Sequence, residues 1–489
     1  MSKKRKNKSC KITSPTTPTN ISQLLKTALH HHRQREYQSA ETLYRQILQQ
    51  QPNHPDALHL LGIIKAQNNE PQMAAELIQQ AIKIDTFNAN FYNSLGNIWW
   101  QQQELRKALR YYQQAVALNP QLAEAHNGLA NVLNAQQQYA QAVANYRQAI
   151  SLNPNLIEAY HNLGQTLTNQ GAMQAAIQCY QQLIARHPTN AQAYFAIGLI
   201  FKKQNKLIDA TDWLQRAINF NPHFAEAHYH LGDVFRKQQR WQLAGKHYQQ
   251  TLAVQPNHLE AHHNLGVILE KQDNLKTAEA HYRKAISLAP STAAESYAGL
   301  ANILKTQGLI AEALAHYKSA LAIKPNAEIF HNWLYTLNLS PDIDLSRQFI
   351  EAQKFNVLHA KPLSLEQQPL TNSGKSPKKN LKIGYVSPDF RQHSVASFIE
   401  PILAHHDHEH FEITCYYNQL QYDQTTRRLK SYVNHWFDCY PLSDQALAEK
   451  IRQDKIDILV DLAGHTADNR LLTFARKPAP IQVTYLGYP

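Results

Sequence analysis

The stretch AEAHNGLANVLNAQQQYAQAVANYRQAISLNPNL, positions 123–156, decides the fold. It carries a small residue at Ala130, a second at Ala142, an aromatic ring at Tyr146 and a proline at Pro154. Stepping outward by the length of this stretch fills the first small slot with Gly62, Gly96, Gly164, Gly198, Gly232 and Gly266. The second slot takes Ala74, Ala108, Ala176, Ala210, Ala244 and Ala278, and the aromatic slot Tyr112, Tyr180, Tyr248 and Tyr282, with Ile78 and Leu214 substituting. Proline returns at Pro52, Pro120, Pro188, Pro222, Pro256 and Pro290, and Thr86 holds the one place without it. A fixed period of this size marks stacked supersecondary units. Two antiparallel helices approach closely only where their facing side chains are small. Tyrosine fills the adjoining gap, and proline, which lacks an amide hydrogen and clashes with the preceding turn, ends the second helix.

The same register places Ala28, Ala40, Tyr44 and Pro52 in a first repeat at 21–54, and Tyr297, Ala301, Ala313, Tyr317 and Pro325 in a ninth after a one-residue insertion. The pattern resembles the tetratricopeptide repeat (TPR) and implies an all-α solenoid of nine helical hairpins over 21–327. Two capping helices are expected over 328–360, broken at Ser340 and Pro341, with Asp344 or Ser346 available as an N-cap. A linker rich in Pro, Ser, Asn and Lys follows at 361–380. No hairpin buries its apolar face alone, so neighbours stack and leave an extended surface of the kind that binds other polypeptides. Several first helices carry asparagine two positions before or one after the small slot: Asn97, Asn131, Asn162, Asn264 and Asn302. Those positions are three apart and share a helix face. An asparagine both donates and accepts, so the set forms a candidate ladder for an extended acceptor chain; the alternative is that each satisfies a local contact.

The net charge of +12 invites a nucleic-acid reading. Lys3, Lys4, Arg5, Lys6, Lys8 and Lys11, with Lys375, Lys378, Lys379 and Lys382, supply ten of those charges. The folded bodies are therefore almost neutral, and no nucleic-acid partner is expected. The basic start is followed by polar SPTTPTN, so 1–20 reads as a disordered tail and not as a signal peptide. Nowhere do about 18 apolar residues run together, so no membrane partner is expected and a cytoplasmic protein is. Four widely separated cysteines without a CxxC pair indicate neither a disulfide framework nor a zinc site. The histidines of AHHDHEHFE (404–412) have no second ligand motif to join, so no metal is expected.

From Leu381 the rhythm changes to short β-rich runs, LKIGYVS, FEITCYYN, KIDILVDL and IQVTYLG, alternating with helical segments. That alternation implies a parallel, Rossmann-like sheet over 381–489. Ligands bind beyond the carboxyl ends of such strands, which points to two loops. SPDFRQHSVAS offers Asp389, Arg391, His393, Ser394 and a helix N-terminus; AGHTADNR offers Gly464, His465, Thr466, Asp468 and Asn469. On one sheet edge, His393 and His465 are expected to face one cleft, where imidazole shuttles a proton or binds a sugar hydroxyl or phosphate.

TPRs followed by LKIGYVSPDFRQHSVASFIEPIL, FEITCYYN and DILVDLAGHTADNRLLTFARKPAPIQVTYLGYP resemble the protein O-linked N-acetylglucosamine transferases and their SPINDLY-type relatives. The resemblance implies a metal-independent, inverting enzyme of the GT-B fold that passes a sugar from a nucleotide diphosphate to Ser or Thr. It makes His393 the catalytic residue and gives the TPR groove the acceptor polypeptide; Asp389, His465 and Thr466, on the two strand-end loops, are the candidate donor- or acceptor-binding residues. GHTADNRL is more similar to the SPINDLY and bacterial versions, so GDP-fucose is the second expected donor after UDP-GlcNAc, with a non-enzymatic TPR scaffold as the further alternative. A GT-B enzyme also needs a second nucleotide-binding domain to stabilise the leaving group. Residues 381–489 resemble only the first part of that catalytic region, and negligible transfer is expected from these 489 residues alone.

Overall fold

The computed structural model describes residues 20–364 and 380–486. Most of the basic tail and most of the linker expected at 361–380 lie outside the described residues. The chain divides into two compact units, 1–234 and 235–489.

The first unit is built from helical hairpins. In repeat 4 the A helix is Ala123–Ala135 and the B helix Tyr139–Leu152, and the other repeats of the unit keep the same lengths. A Cβ added at Gly164 would lie 2.4 Å from the Tyr180 ring of the same hairpin, and one at Gly96 2.8 Å from the Tyr112 ring. The small slot thus admits the tyrosine, as the spacing predicts. The contact extends between repeats: a Cβ at Gly128 would sit 2.3 Å from Tyr112 of the preceding hairpin. Those rings and their alanine partners are almost wholly buried. A helices also touch the next A helix, which brings them together along one side of the unit.

Two regularities escape the spacing. The turn between A and B helices passes through a left-handed residue, which is Arg35, Asn69, Gln103, Gln137 or Asn205 in this unit and glycine only at Gly171. A non-glycine residue there costs roughly 1–2 kcal/mol. In partial return the turn amides close the helix end, with Gln138 N–H donating to Leu133 C=O at 2.8 Å. In addition, a ring four residues ahead of the small slot donates to the carbonyl six residues behind it. His126 reaches Pro120 at 3.1 Å, Tyr194 reaches Pro188 at 3.1 Å and His228 reaches Pro222 at 3.0 Å. The end of one hairpin is thereby strapped to the start of the next.

The second unit continues the repeats, adds the cap and ends in an α/β module. Its straps follow the same rule. His262 donates from Nε2 to Pro256 C=O at 3.0 Å, so its Nδ1 is the acceptor for His281 Nδ1–H at 2.8 Å. The cap is α1 (Ala327–Leu337) and α2 (Leu345–Phe355), with Asp344 accepting Arg347 N–H at 2.7 Å as the expected N-cap. A π-helical turn, Asn356–Ala360, prolongs α2.

The module runs β1 (Leu381–Ser387), α3 (Ser394–Ala404), β2 (Phe411–Tyr417), α4 (Gln424–Lys430), β3 (His435–Asp438), α5 (Asp444–Asp454), β4 (Ile458–Asp461), α6 (Leu471–Ala475) and β5 (Ile481–Thr484). All strand pairs are parallel, in the order β3-β2-β1-β4-β5. β3, the short HWFD, was not expected; its four residues are only half-buried or exposed and carry no apolar run. The chain leaves β1 toward β2 and returns to the other flank of β1 with β4. The crevice between the β1 and β4 loops is therefore the topological switch point, where ligands bind in open parallel sheets.

The small slot sets an opposing pair of substitutions. Gly164→Ala forces the Tyr180 ring aside, and the overpacking cost of roughly 1–3 kcal/mol exceeds the helix-propensity gain of roughly 1 kcal/mol. Gly245→Ala in a B helix meets nothing nearer than Ile268 at 3.5 Å, so it keeps the gain of about 1 kcal/mol. Urea denaturation followed by circular dichroism is expected to show a lower midpoint for the first and a higher one for the second.

Candidate functional site

Asp389 and His393 are placed by the path from β1 into α3. Ser387, at the end of β1, accepts Asp389 N–H through its hydroxyl at 2.9 Å. Phe390 is fully buried and pins the loop. His393 is the N-cap of α3: its Nδ1 accepts Val395 N–H at 3.2 Å. That bond needs the Nδ1 lone pair, so the neutral ring carries its hydrogen on Nε2. Asp389 Oδ2 lies 3.8 Å from the same Nδ1, and Asp389 Oδ1 lies 3.6 Å from Arg391. Protonation of the ring puts a hydrogen on Nδ1, which ends the bond to the helix amide and favours Asp389. His393 thus has two partners, one for each charge state.

Burial pushes the Asp389 carboxyl above the usual carboxylate range, against the pull of His393 and Arg391; the Asp468 carboxylate adds to the rise. Asp468 belongs to the loop after β4, so a like charge reaches Asp389 from that loop. Asp468 is held in the left-handed region, at φ 56°, by two amides from the end of β2. Asn418 Nδ2 donates to its carbonyl at 2.7 Å and Gln419 Nε2 to its carboxylate at 2.9 Å. Arg470 completes the frame, donating to Asn418 Oδ1 at 2.7 Å and pairing with Asp444 at 3.3 Å.

The start of the β4 loop is folded by Asp461, which accepts Ala463 N–H at 3.2 Å, Gly464 N–H at 2.9 Å and the Thr484 hydroxyl at 3.0 Å. Asp423 plays a similar part for α3 and α4, accepting Gln392 N–H at 2.6 Å and Thr426 N–H at 2.8 Å. Sequence reading passed over Asn418, Asp423, Asp461 and Arg470. An acid closing an apolar strand was a usable signal for Asp461; nothing local marked Asn418, whose partners Asp468 and Arg470 lie far along the chain.

His465 and Thr466 part company. Thr466, whose hydroxyl donates to Ala463 C=O at 2.7 Å, lines a cleft of about 790 Å³ with Asp468, Asn302, Lys305, Asn326 and His331. His465 is 8% exposed and turns into the cap, its Nδ1 2.6 Å from Nδ1 of His331. The structure therefore does not set His465 beside His393 in an open cleft.

The asparagines of the repeats are also partly engaged. Asn97 and Asn131 accept the hydroxyls of Tyr112 and Tyr146 at 2.7 Å, and Asn302 accepts that of Tyr317. Asn162 Nδ2 donates to Asn131 Oδ1 at 3.0 Å, joining neighbouring A helices. Asn264 is held by a further contact within its surroundings. Both readings of these residues meet here: their oxygens brace the hairpins, while the +1 members stand half-buried or exposed on the A-helix face.

Among the described residues no cluster of three or more His, Cys, Asp or Glu has the geometry to hold a metal. The histidines after α3 go elsewhere: His406 to the Tyr385 hydroxyl at 2.9 Å, His408 to Asn434 at 3.1 Å and His410 to Asp407 at 2.6 Å. No described helix is long and apolar enough to cross a membrane.

Residues 318–489 match the model of Glycosyl transferase family 41. Ahead of them, tetratricopeptide-repeat models match 31–98, 89–122, 130–171, 164–205, 198–239, 223–291 and 259–326. The chain is 44% identical over 122 residues to a Solanum lycopersicum protein named Probable UDP-N-acetylglucosamine--peptide N-acetylglucosaminyltransferase SPINDLY, a match covering 24% of this chain and 13% of the relative. It is 40% identical over 114 residues to the corresponding protein named SEC from Arabidopsis thaliana, covering 23% and 12%. Among solved structures, a mutant of Thermobaculum terrenum O-GlcNAc transferase aligns with TM-score 0.49 at 32% identity, over 54% of this chain and 50% of that one. The chain thus spans about an eighth of the length of the curated relatives it matches. In the family 41 segment the matched region includes both site loops and the cap.

The raised carboxyl gives a signed prediction. A folded-state pKa above the unfolded one means that stability falls as pH rises through the titration of Asp389. Asp389→Asn removes that loss, so thermal melting of the chain at pH 7 is expected at a higher temperature than wild type, with the difference shrinking as the pH is lowered toward the carboxyl titration.

Proposed function

We propose that the protein is an O-glycosyltransferase that transfers N-acetylglucosamine from UDP-GlcNAc to Ser or Thr of polypeptides held by the TPR groove. The observation that carries this reading is the family 41 match over 318–489, which falls on a switch-point crevice containing His393 and Asp389. Neutral His393 directs an Nε2–H donor outward, suited to an oxygen of the acceptor or of the donor phosphate, and Asp389 favours the ring when it takes up a proton. No metal enters the scheme, and a sugar nucleotide is the donor substrate, not a resident cofactor. On the A-helix faces, Asn97 and Asn131 in the first unit and Asn302 in the second spend Oδ1 on tyrosine and offer Nδ2 hydrogens to backbone carbonyls of an extended acceptor; Asn162 joins the set in the first unit and Asn264 in the second. Such contacts read backbone and not sequence.

A second donor rests on GHTADNRL alone, which is similar to the SPINDLY pattern, whereas the relatives' printed names give UDP-N-acetylglucosamine. GDP-fucose is that donor.

The test is sugar transfer to a Ser/Thr peptide by the protein translated from its complete reading frame, with labelled UDP-GlcNAc and GDP-fucose in parallel. Transfer from UDP-GlcNAc is expected, and a fall of roughly 100-fold or more in His393→Ala with unchanged circular dichroism. Transfer from GDP-fucose alone gives the second reading; transfer from neither by a folded protein, or wild-type turnover in the variant, overturns the proposal for the reaction or for His393. Replacing Asn131 and Asn302 by Ala is expected to raise KM for a protein acceptor while sparing kcat with a short peptide.

A further inference from the structure

We propose that His331, on the capping helix α1, is the positioning residue for the loop after β4: it shares one hydrogen with His465 and thereby fixes 466–469 at the rim of the cleft. That role rests on the functional reading of the loop; the contact itself does not. The two Nδ1 atoms are 2.6 Å apart and each residue is 8% exposed. Two lone pairs, or two N–H groups, repel at that distance, so a single hydrogen lies between the two Nδ1 atoms and the neutral rings are opposite tautomers. The loop's address is thus written as a hydrogen bond to a different element.

The surroundings keep the pair dry. The Phe355 ring lies 4.6 Å from the His331 ring and meets that of His465 edge-on at 5.2 Å, and His359 from the π-helical turn stands 5.2 Å from Phe355. Gly464, at φ 58°, bends the chain inward just before His465, and Asp461 holds the Gly464 amide. The charged groups around the cleft on which His331 borders are Glu270 and Lys305 of the repeats, Glu328 of α1, Asp444 of α5 and Asp468 of the loop. None of these makes an ion pair with either imidazole among the described residues, so a second proton on the pair finds no carboxylate to receive it.

Burial drives His331 down to about 3, with help from His465 and His359, and His465 to about 4. Both ordinary values are 6.5. Because the folded values are depressed, the pair's contribution is complete above about pH 6.5 and is lost as pH falls from there toward about 4.

Hydrogen exchange read by mass spectrometry on the whole chain tests this, with peptides covering 463–470 as the reporter and β1 as the internal control. In wild type, protection of 463–470, corrected for intrinsic exchange, is expected to fall at least roughly tenfold between pH 7 and pH 5 while β1 holds. His331→Ala should lose that protection at pH 7 and show no further acid step. His331→Gln, whose amide can still bond Nδ1 of His465 but does not titrate, should restore protection and shrink the step. Wild-type protection in the Ala variant, a Gln variant no better than Ala, or a wild-type reporter indifferent to pH overturns the proposal. If the Ala variant also loses β1, the comparison of wild type with Gln across pH decides. No sugar transfer is measured, so failure here and failure of the glycosyltransferase reading are separate results.

Discussion

Everything in the repeats depends on one steric allowance: an A helix with no Cβ, or only one, where a B-helix tyrosine must lie flat against it. At Gly164 and Gly96 the ring of the same hairpin occupies the space a side chain would need, and at Gly128 the ring of the previous hairpin does. The hydroxyls at the far end of such rings bond the A helix: Tyr112 donates to Asn97, Tyr146 to Asn131 and Tyr180 to the carbonyl of His161. In the hairpins that carry it, tyrosine therefore sets the distance between helices through its face and ties down the A helix through its tip, while Ile78 and Leu214 fill the same space at Gly62 and Gly198 without a hydroxyl. The face that results, with asparagines at fixed intervals, is a by-product of that packing as much as a binding device.

This is also why the solenoid was legible at the level of single residues. Steric exclusion admits few residue types, so a slot that returns at a fixed period shows itself as Gly or Ala without any knowledge of the partner. The left-handed turns did not show, because Gln103, Gln137 and Asn69 tolerate a conformation for which glycine is the usual sign. The straps from His126 and Tyr194 were hidden for a different reason: histidine and tyrosine serve equally as N–H or O–H donors, and the slot has no single letter.

In the α/β module the strands followed from their apolar runs, with β3 the exception, and the two loops followed from parallel topology. Within the β1 loop, Asp389 Oδ2 stands 3.8 Å from His393 Nδ1, a pairing for which the sequence offered only that both residues share one loop. The placement of His465 did not follow, since which way a loop histidine turns is decided by what waits on the other side. Here it is an aromatic box made by α1, α2 and the π-helical turn. Likewise Asn418 and Arg470 tie together the ends of β2, β3 and β4, and contacts at such separations leave no local trace.

The imidazole pair also orders events in time. His331 and His465 are 134 residues apart, and synthesis proceeds from the N terminus. The repeats and the cap leave the ribosome first and fold on local contacts, while the parallel sheet must wait for β4 to be made before β1 gains its second neighbour. The cap is then already made when the loop after β4, which it receives, arrives. A vectorially made chain of this design checks its slow, non-local half against its fast, local one.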